Sequence, residues 1–234
     1  MSAIFWKEVK SYFYSPMAYI LIGLFTFLNS FIFRSNLFGG YADFSSNLSF
    51  MGTILVFLIP LLTMRILSED RKNGTEVLLI TSPVSLTGMV VGKFLATFFV
   101  FLIMMATTIL FPIVLLAFGG PITPTLIGGY VGIIFLGAAM LSVGLLASAL
   151  TESQIVAAIV TMISLLIIMF LQSMADSFGG IVSKILNWFS LFSRYNDFNR
   201  GIFSLAPLVY FISFTAVFVF LTIRVIEKRR WSQG

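Results

Sequence analysis

The residues able to do chemistry in this chain crowd into one stretch. Arg65, Glu69, Asp70, Arg71, Lys72, Glu76 and Lys93 fall within positions 65–93, while long runs elsewhere carry no charge. Acids and bases at this spacing can pair, cap helices or present a docking surface. Catalysis is narrowed further by what is missing: the chain has no His and no Cys. That removes a thiolate nucleophile, a Ser-His triad and the usual zinc ligands. Gly88, Gly92 and Lys93 resemble a phosphate-binding loop only faintly. Three residues separate the glycines where four are needed, and Phe94 stands where Ser or Thr belongs. Lys93 therefore reads as a headgroup anchor at a membrane boundary, and nothing else in the chain is fit to hold ATP.

The elements that must position these residues are membrane spans. The composition is 59% hydrophobic and 10% charged, against roughly 25% charged in a soluble domain. Charge-free runs cover 11–33, 44–64, 94–151, 153–175 and 201–223. Each reaches the length of about 20 residues that a spanning helix needs. Gly119, Gly120, Pro121 and Pro124 divide the longest run in two. Six spans follow, near 17–33, 48–65, 94–118, 126–150, 155–174 and 205–224, in an all-α polytopic membrane protein. A soluble enzyme, a disordered tail and a disulfide scaffold are excluded. The spans lack the acid or base that pumps use as a relay, so the membrane region has no evident energy coupling of its own.

Six spans put both termini on one side. If that side is cytoplasmic, it holds Lys7, Lys10, Arg65, Arg71, Lys72, Lys93, Arg224, Lys228, Arg229 and Arg230. Only Arg34, Lys184, Arg194 and Arg200 fall outside. Ten against four satisfies the positive-inside rule. The net charge of +5 thus flanks the spans, where it meets lipid headgroups and sets topology, and points to no nucleic acid. No small-residue cleavage site follows the first apolar run, so residues 1–10 do not read as a cleavable signal.

Residues 1–15 place Phe5, Val9, Tyr12 and Phe13 on one helical face, with Lys7, Lys10 and Ser11 opposite. The pattern predicts an amphipathic helix lying in the membrane interface. The bland alternative is a topogenic flank. Ser15 and Pro16 then open the first span as N-cap and first helical residue. Pro60 and Pro112 predict kinks in the second and third spans. Small residues along the fourth span, Gly128/Gly132, Ala138/Ser142 and Gly144/Ser148, predict close helix packing, within one subunit or between two.

In the loop 66–93, Ile66–Lys72 extends the second span and Asn73-Gly74 ends it in a left-handed cap. Thr75 caps a second short helix with Glu76 in its first turn, Val77, Leu78, Leu79 and Ile80 on its surface, and Ser82-Pro83 at its end. Exposed aliphatics ringed by charge form a docking knob for a protein, or else only a solvated hairpin between spans. The run from Glu69 through Thr75, Glu76, Leu78, Leu79 and Pro83 to Ser85, followed by Gly92-Lys93, resembles the signature of ABC-2 type transporter permeases. The ending Ser204–Phe211 with Arg224 and Glu227–Arg230 is similar to the small permeases of the gliding-motility type.

That resemblance implies a single transmembrane domain over 1–234 with a cytoplasmic coupling helix. Glu69, Asp70, Arg71, Gly74, Thr75, Glu76, Leu78, Leu79 and Pro83 are then ATPase-coupling residues. It also implies a separate ABC ATPase subunit that binds ATP and Mg, with no cofactor in this chain. A second permease copy or homologue would complete the transporter, its dimer contact usually built by the first and fifth spans. The expected place is a cell inner membrane. The external segment 175–204 carries an amphipathic pattern where relatives have re-entrant helices thought to gate the exit. Ile185, Phe189, Phe192, Arg194 and Arg200 are the candidates, against the alternative of a plain amphipathic lid. The function implied is export of a hydrophobic or amphipathic cargo driven by ATP. The rivals are a membrane scaffold that docks a soluble regulator and an ATP-independent channel.

Overall fold

A computed structural model describes residues 2–38, 44–75, 85–118, 123–177, 180–202 and 204–232, apart from the side chains of 176, 182, 185 and 230–232. The described residues are helical, with no strand among them. In order they form α1 (Ser2–Tyr14), α2 (Pro16–Phe38), α3 (Ser45–Thr63), α4 (Ser68–Lys72) and α5 (Leu86–Thr108). Then come α6 (Leu110–Ala117), α7 (Pro124–Leu150), α8 (Gln154–Ser177), α9 (Gly180–Phe189), α10 (Leu191–Asn199) and α11 (Leu205–Ser232). Six stretches are long and apolar enough to cross a membrane: 16–38, 45–72, 86–117, 124–150, 154–175 and 205–229.

The six expected spans are all present, and most run past the first charge at their ends. Arg34 stays within α2, its guanidinium 5.5 Å from the Phe38 ring. The third span begins eight residues before the charge-free run. Ser85 caps α5, its hydroxyl accepting from the Gly88 amide at 3.1 Å. Ser15 similarly accepts from Met17 N at 3.4 Å where α2 begins.

The expected kink at Pro112 is a break. Proline has no amide to bond the carbonyl four residues back and crowds it, and that carbonyl belongs to Thr108, where α5 stops. Tyr130 Oη donates to the freed Thr108 oxygen at 2.9 Å.

The fourth span, α7, is the axle of the bundle. Of its membrane-length window 72% is buried, and 67% of the second span's, against 28%, 17% and 17% for the first, fifth and sixth. It packs against α3, α5, α8, α10 and α11. Its small residues face neighbours in the same chain. A Cβ on Gly137 would lie 2.2 Å from the buried Phe101 ring, and one on Gly144 2.2 Å from Thr63 Oγ1. Only glycine lets these backbones approach so closely. The main core lies around Leu48, Met51, Phe101, Leu136, Met140 and Phe211. A smaller cluster of Ile4, Ile66, Leu67, Val90, Leu145 and Ile226 closes one end, beside α4.

Candidate functional site

The charged residues of the loop converge where α1, α4 and α5 meet. After α3 the chain turns at 64–67, held from the fourth span. Ser148 Oγ accepts from the amides of Leu67 (3.0 Å) and Ser68 (3.1 Å) and donates to Met64 O at 3.2 Å. One hydroxyl thus meets a carbonyl that the end of α3 leaves free and two amides at the start of α4. In α4, Glu69 and Asp70 sit in the first turn and Arg71 and Lys72 in the last, the order that complements the helix dipole. Gly74 follows at φ +70, the left-handed residue expected to end the helix.

At the centre stands Lys93. Its ammonium contacts Glu8 Oε1 at 2.6 Å, Asp70 Oδ2 at 2.6 Å and Ile66 O at 2.8 Å. The contacts to Glu8 and Ile66 are hydrogen bonds, and the one to Asp70 is an ion pair. Its side chain is 2% exposed, and those of Glu8 and Asp70 15% each. The headgroup-anchor reading of Lys93 is therefore wrong. The lysine faces inward because α1 crosses the start of α5 and brings a carboxylate to it. Thr75 Oγ1 donates to the other Asp70 oxygen at 2.8 Å, so both oxygens of that carboxylate are engaged.

Two more pairs flank this centre. Arg65 Nε meets Glu69 Oε2 at 2.8 Å, and its guanidinium lies 5.8 Å from the Tyr12 ring. Arg71 meets Glu152, in the turn between α7 and α8, at 2.7 Å. Tyr12 is buried, and its hydroxyl donates to Leu62 O at 2.7 Å. Burial pushes the Tyr12 phenol well above its ordinary value, so it stays a neutral donor. Arg229, from the last span, donates to Ala149 O at the end of α7.

Of the expected coupling residues, Glu69, Asp70, Arg71, Gly74 and Thr75 lie together here. Glu76, Leu78, Leu79 and Pro83 fall outside the described residues. Glu8, Lys93, Ser148 and Glu152 complete the arrangement and were not expected in it. At the opposite end, the gate candidates separate. Phe192 is buried toward Gly52 of α3. Phe189 and Arg194 line an outward groove, and Arg200 is exposed at the end of α10. The side chain of Ile185 lies outside the described residues.

No curated protein matches the chain. A family model described as ABC-2 family transporter protein matches residues 34–224. The match takes in α4 and Lys93, but only the last residues, 34–38, of the first span, and leaves Glu8 outside. It is to the ABC-2 family as a whole and carries no gliding-motility assignment. With six helices of membrane length and this match over most of its sequence, the chain belongs to the ABC-2 family of transporter proteins, membrane subunits of ABC transporters that are not themselves catalytic.

Proposed function

We propose that residues 1–234 act as one transmembrane domain of an ATP-driven exporter whose ATPase is a separate polypeptide holding ATP and Mg. The ATPase docks on the loop 66–93, and its closure on ATP pushes that loop. The observation that carries this reading is the fastening of α4 to α1 and α5 through Lys93. A floppy loop would dissipate a push. One tied to the third span by buried charge, and to the fourth by Ser148, passes it on. Burying three charges costs desolvation free energy, and the return is a fixed geometry where force enters.

The cargo is hydrophobic or amphipathic, in keeping with spans whose middles carry no charge. The pathway forms with a second copy or a homologue. Both termini are cytoplasmic in a cell inner membrane. With Lys93 withdrawn into the protein, nine basic residues still stand against four, so the orientation is unchanged.

The test is purification of the full chain from its native membrane in mild detergent, with ATP hydrolysis read in the eluate. An ATPase should co-purify, and Leu79→Asp or Glu76→Lys should lower its recovery about tenfold. Asp70→Asn should leave docking intact while cutting ATP-driven transport. A chain that comes down without an ATPase, even after cross-linking, overturns the proposal.

A further inference from the structure

At the end of the bundle away from Lys93, α8, α9, α10 and α11 enclose an open groove of about 910 Å³. Its walls include Ile168, Leu171, Val209, Phe214 and Phe218, and among the described residues Arg194 is the one charged residue lining it. Trp188 and Arg194 are shared with a polar crevice of about 340 Å³ that also holds Lys184, Asn187 and Asp197. Apolar wall and polar head are therefore continuous, and the charges of the described residues at the head sum to one positive.

Arg194 is built into this place. Its guanidinium lies 4.3 Å from the Tyr210 ring centroid. Tyr210 is itself held, its hydroxyl donating to Phe189 O at 3.0 Å. Arg194 as a whole is only half-buried, so part of its side chain stays accessible from the groove, where an anionic oxygen could meet its charge. From Leu205 to Phe218 the wall of α11 rises roughly 20 Å at 1.5 Å per residue. One leaflet's share of a hydrocarbon core of ~30 Å is shorter than that. The wall is long enough for an acyl chain, and the cation at its end supplies the forked geometry that suits a phosphate.

We propose that this groove is a binding site for an anionic phospholipid, its phosphate on Arg194 and one acyl chain along α11. The site is formed within one chain and needs no ATPase, so it stands or falls apart from the coupling reading.

The chain has three tryptophans, Trp6, Trp188 and Trp231. Trp6→Phe with Trp231→Phe leaves Trp188, in the groove wall, as the sole fluorophore. The full chain is reconstituted in phosphatidylcholine vesicles containing a fixed fraction of either brominated phosphatidylglycerol or brominated phosphatidylcholine. Phosphatidylglycerol should quench Trp188 with an apparent association about fivefold stronger. Arg194→Gln should bring the two lipids within about twofold, and Arg194→Lys should keep most of the preference, because the charge remains. Quenching by brominated phosphatidylcholine should be the same in all three proteins, as an intact groove requires. Equal quenching by the two lipids before mutation overturns the site. So does a preference that survives Arg194→Gln, or a Lys variant as indifferent as the Gln one.

Discussion

Lys93 ties together groups that arrive from α1, from α4 and from the turn after α3, by two hydrogen bonds and an ion pair. Removing the charge while keeping the volume should be severe. Lys93→Met leaves Glu8 and Asp70 facing each other with no cation between them. The expected loss is about 3 kcal/mol, read by thermal unfolding in detergent. Adding Glu8→Gln and Asp70→Asn should recover most of it, since the three charges are costly to bury and only their mutual pairing offsets that cost. A Lys93→Met protein as stable as the parent would mean that these charges do not hold the helices together. At this scale the local features were legible. Arg65 and Glu69 stand at i,i+4, and Gly74 follows the acid-to-base order of α4. The partner of Lys93 was not, because a lysine beside a span ordinarily faces headgroups. Glu8 lies 85 positions away. A signal was present in the spacing: Ile4, Glu8 and Tyr12 lie at i, i+4 and i+8, one face of α1, and both flanking residues are buried. An acid on an apolar stripe calls for a cation from another element.

Among the elements, α7 decides how the rest fit. The small residues of the fourth span marked it as a close-packing helix. Their partners were hidden, because a helix surrounded on all sides meets a different neighbour at each turn. Gly129 faces Leu48 of α3, Gly132 faces Phe198 of α10, Gly137 faces Phe101 of α5 and Gly144 faces Thr63 of α3. Thr63 is fully buried, and its hydroxyl bonds Ile59 O at 2.9 Å, so it has little room to retreat. Gly144→Ala should therefore destabilise by about 1–3 kcal/mol. It should also weaken ATPase stimulation, since Thr63 immediately precedes the turn that Ser148 holds. Gly23→Ala is the control. A Cβ there meets nothing within 4 Å, and alanine in a helix interior gains roughly 0.5–1 kcal/mol over glycine. Thermal unfolding of the two variants should move in opposite directions. If Gly144→Ala is neutral, α3 and α7 are not held at that distance by the glycine.

For the whole molecule, the exposed apolar faces fall on the first, fifth and sixth spans, which lie on the rim of the bundle. A paired transporter has to use part of this rim for its partner and leave the rest to lipid. Phe31 and Ile163 are 66% and 51% exposed, and Val217 in the groove wall is 53% exposed. Since the chain has no native Cys, single cysteines read the interface cleanly. Phe31→Cys and Ile163→Cys should cross-link between copies in membranes, and Val217→Cys should not. The reverse pattern would put the partner where the lipid is proposed to lie. The count and order of the spans were legible because charge-free length is a strong signal in a membrane protein. The division of the rim was not, since lipid and protein partners ask for the same apolar residues.

The broken third span has a mechanical consequence. One end of the bundle is stapled at Lys93, Ser148, Glu152 and Arg229. The other end holds a helix interrupted at Ile109, whose loose carbonyl is bonded from a different helix by Tyr130. The two ends of the bundle therefore differ in how their helices are tied. Around the interruption Ile109 N bonds Ala106 O at 3.2 Å and Ile113 N bonds Ile109 O at 3.3 Å, while Thr108 O, facing Pro112, has no intrahelical bond to lose. If the stapled end is turned, the interruption is where the third span should yield first, because its loose carbonyl is already satisfied from another helix.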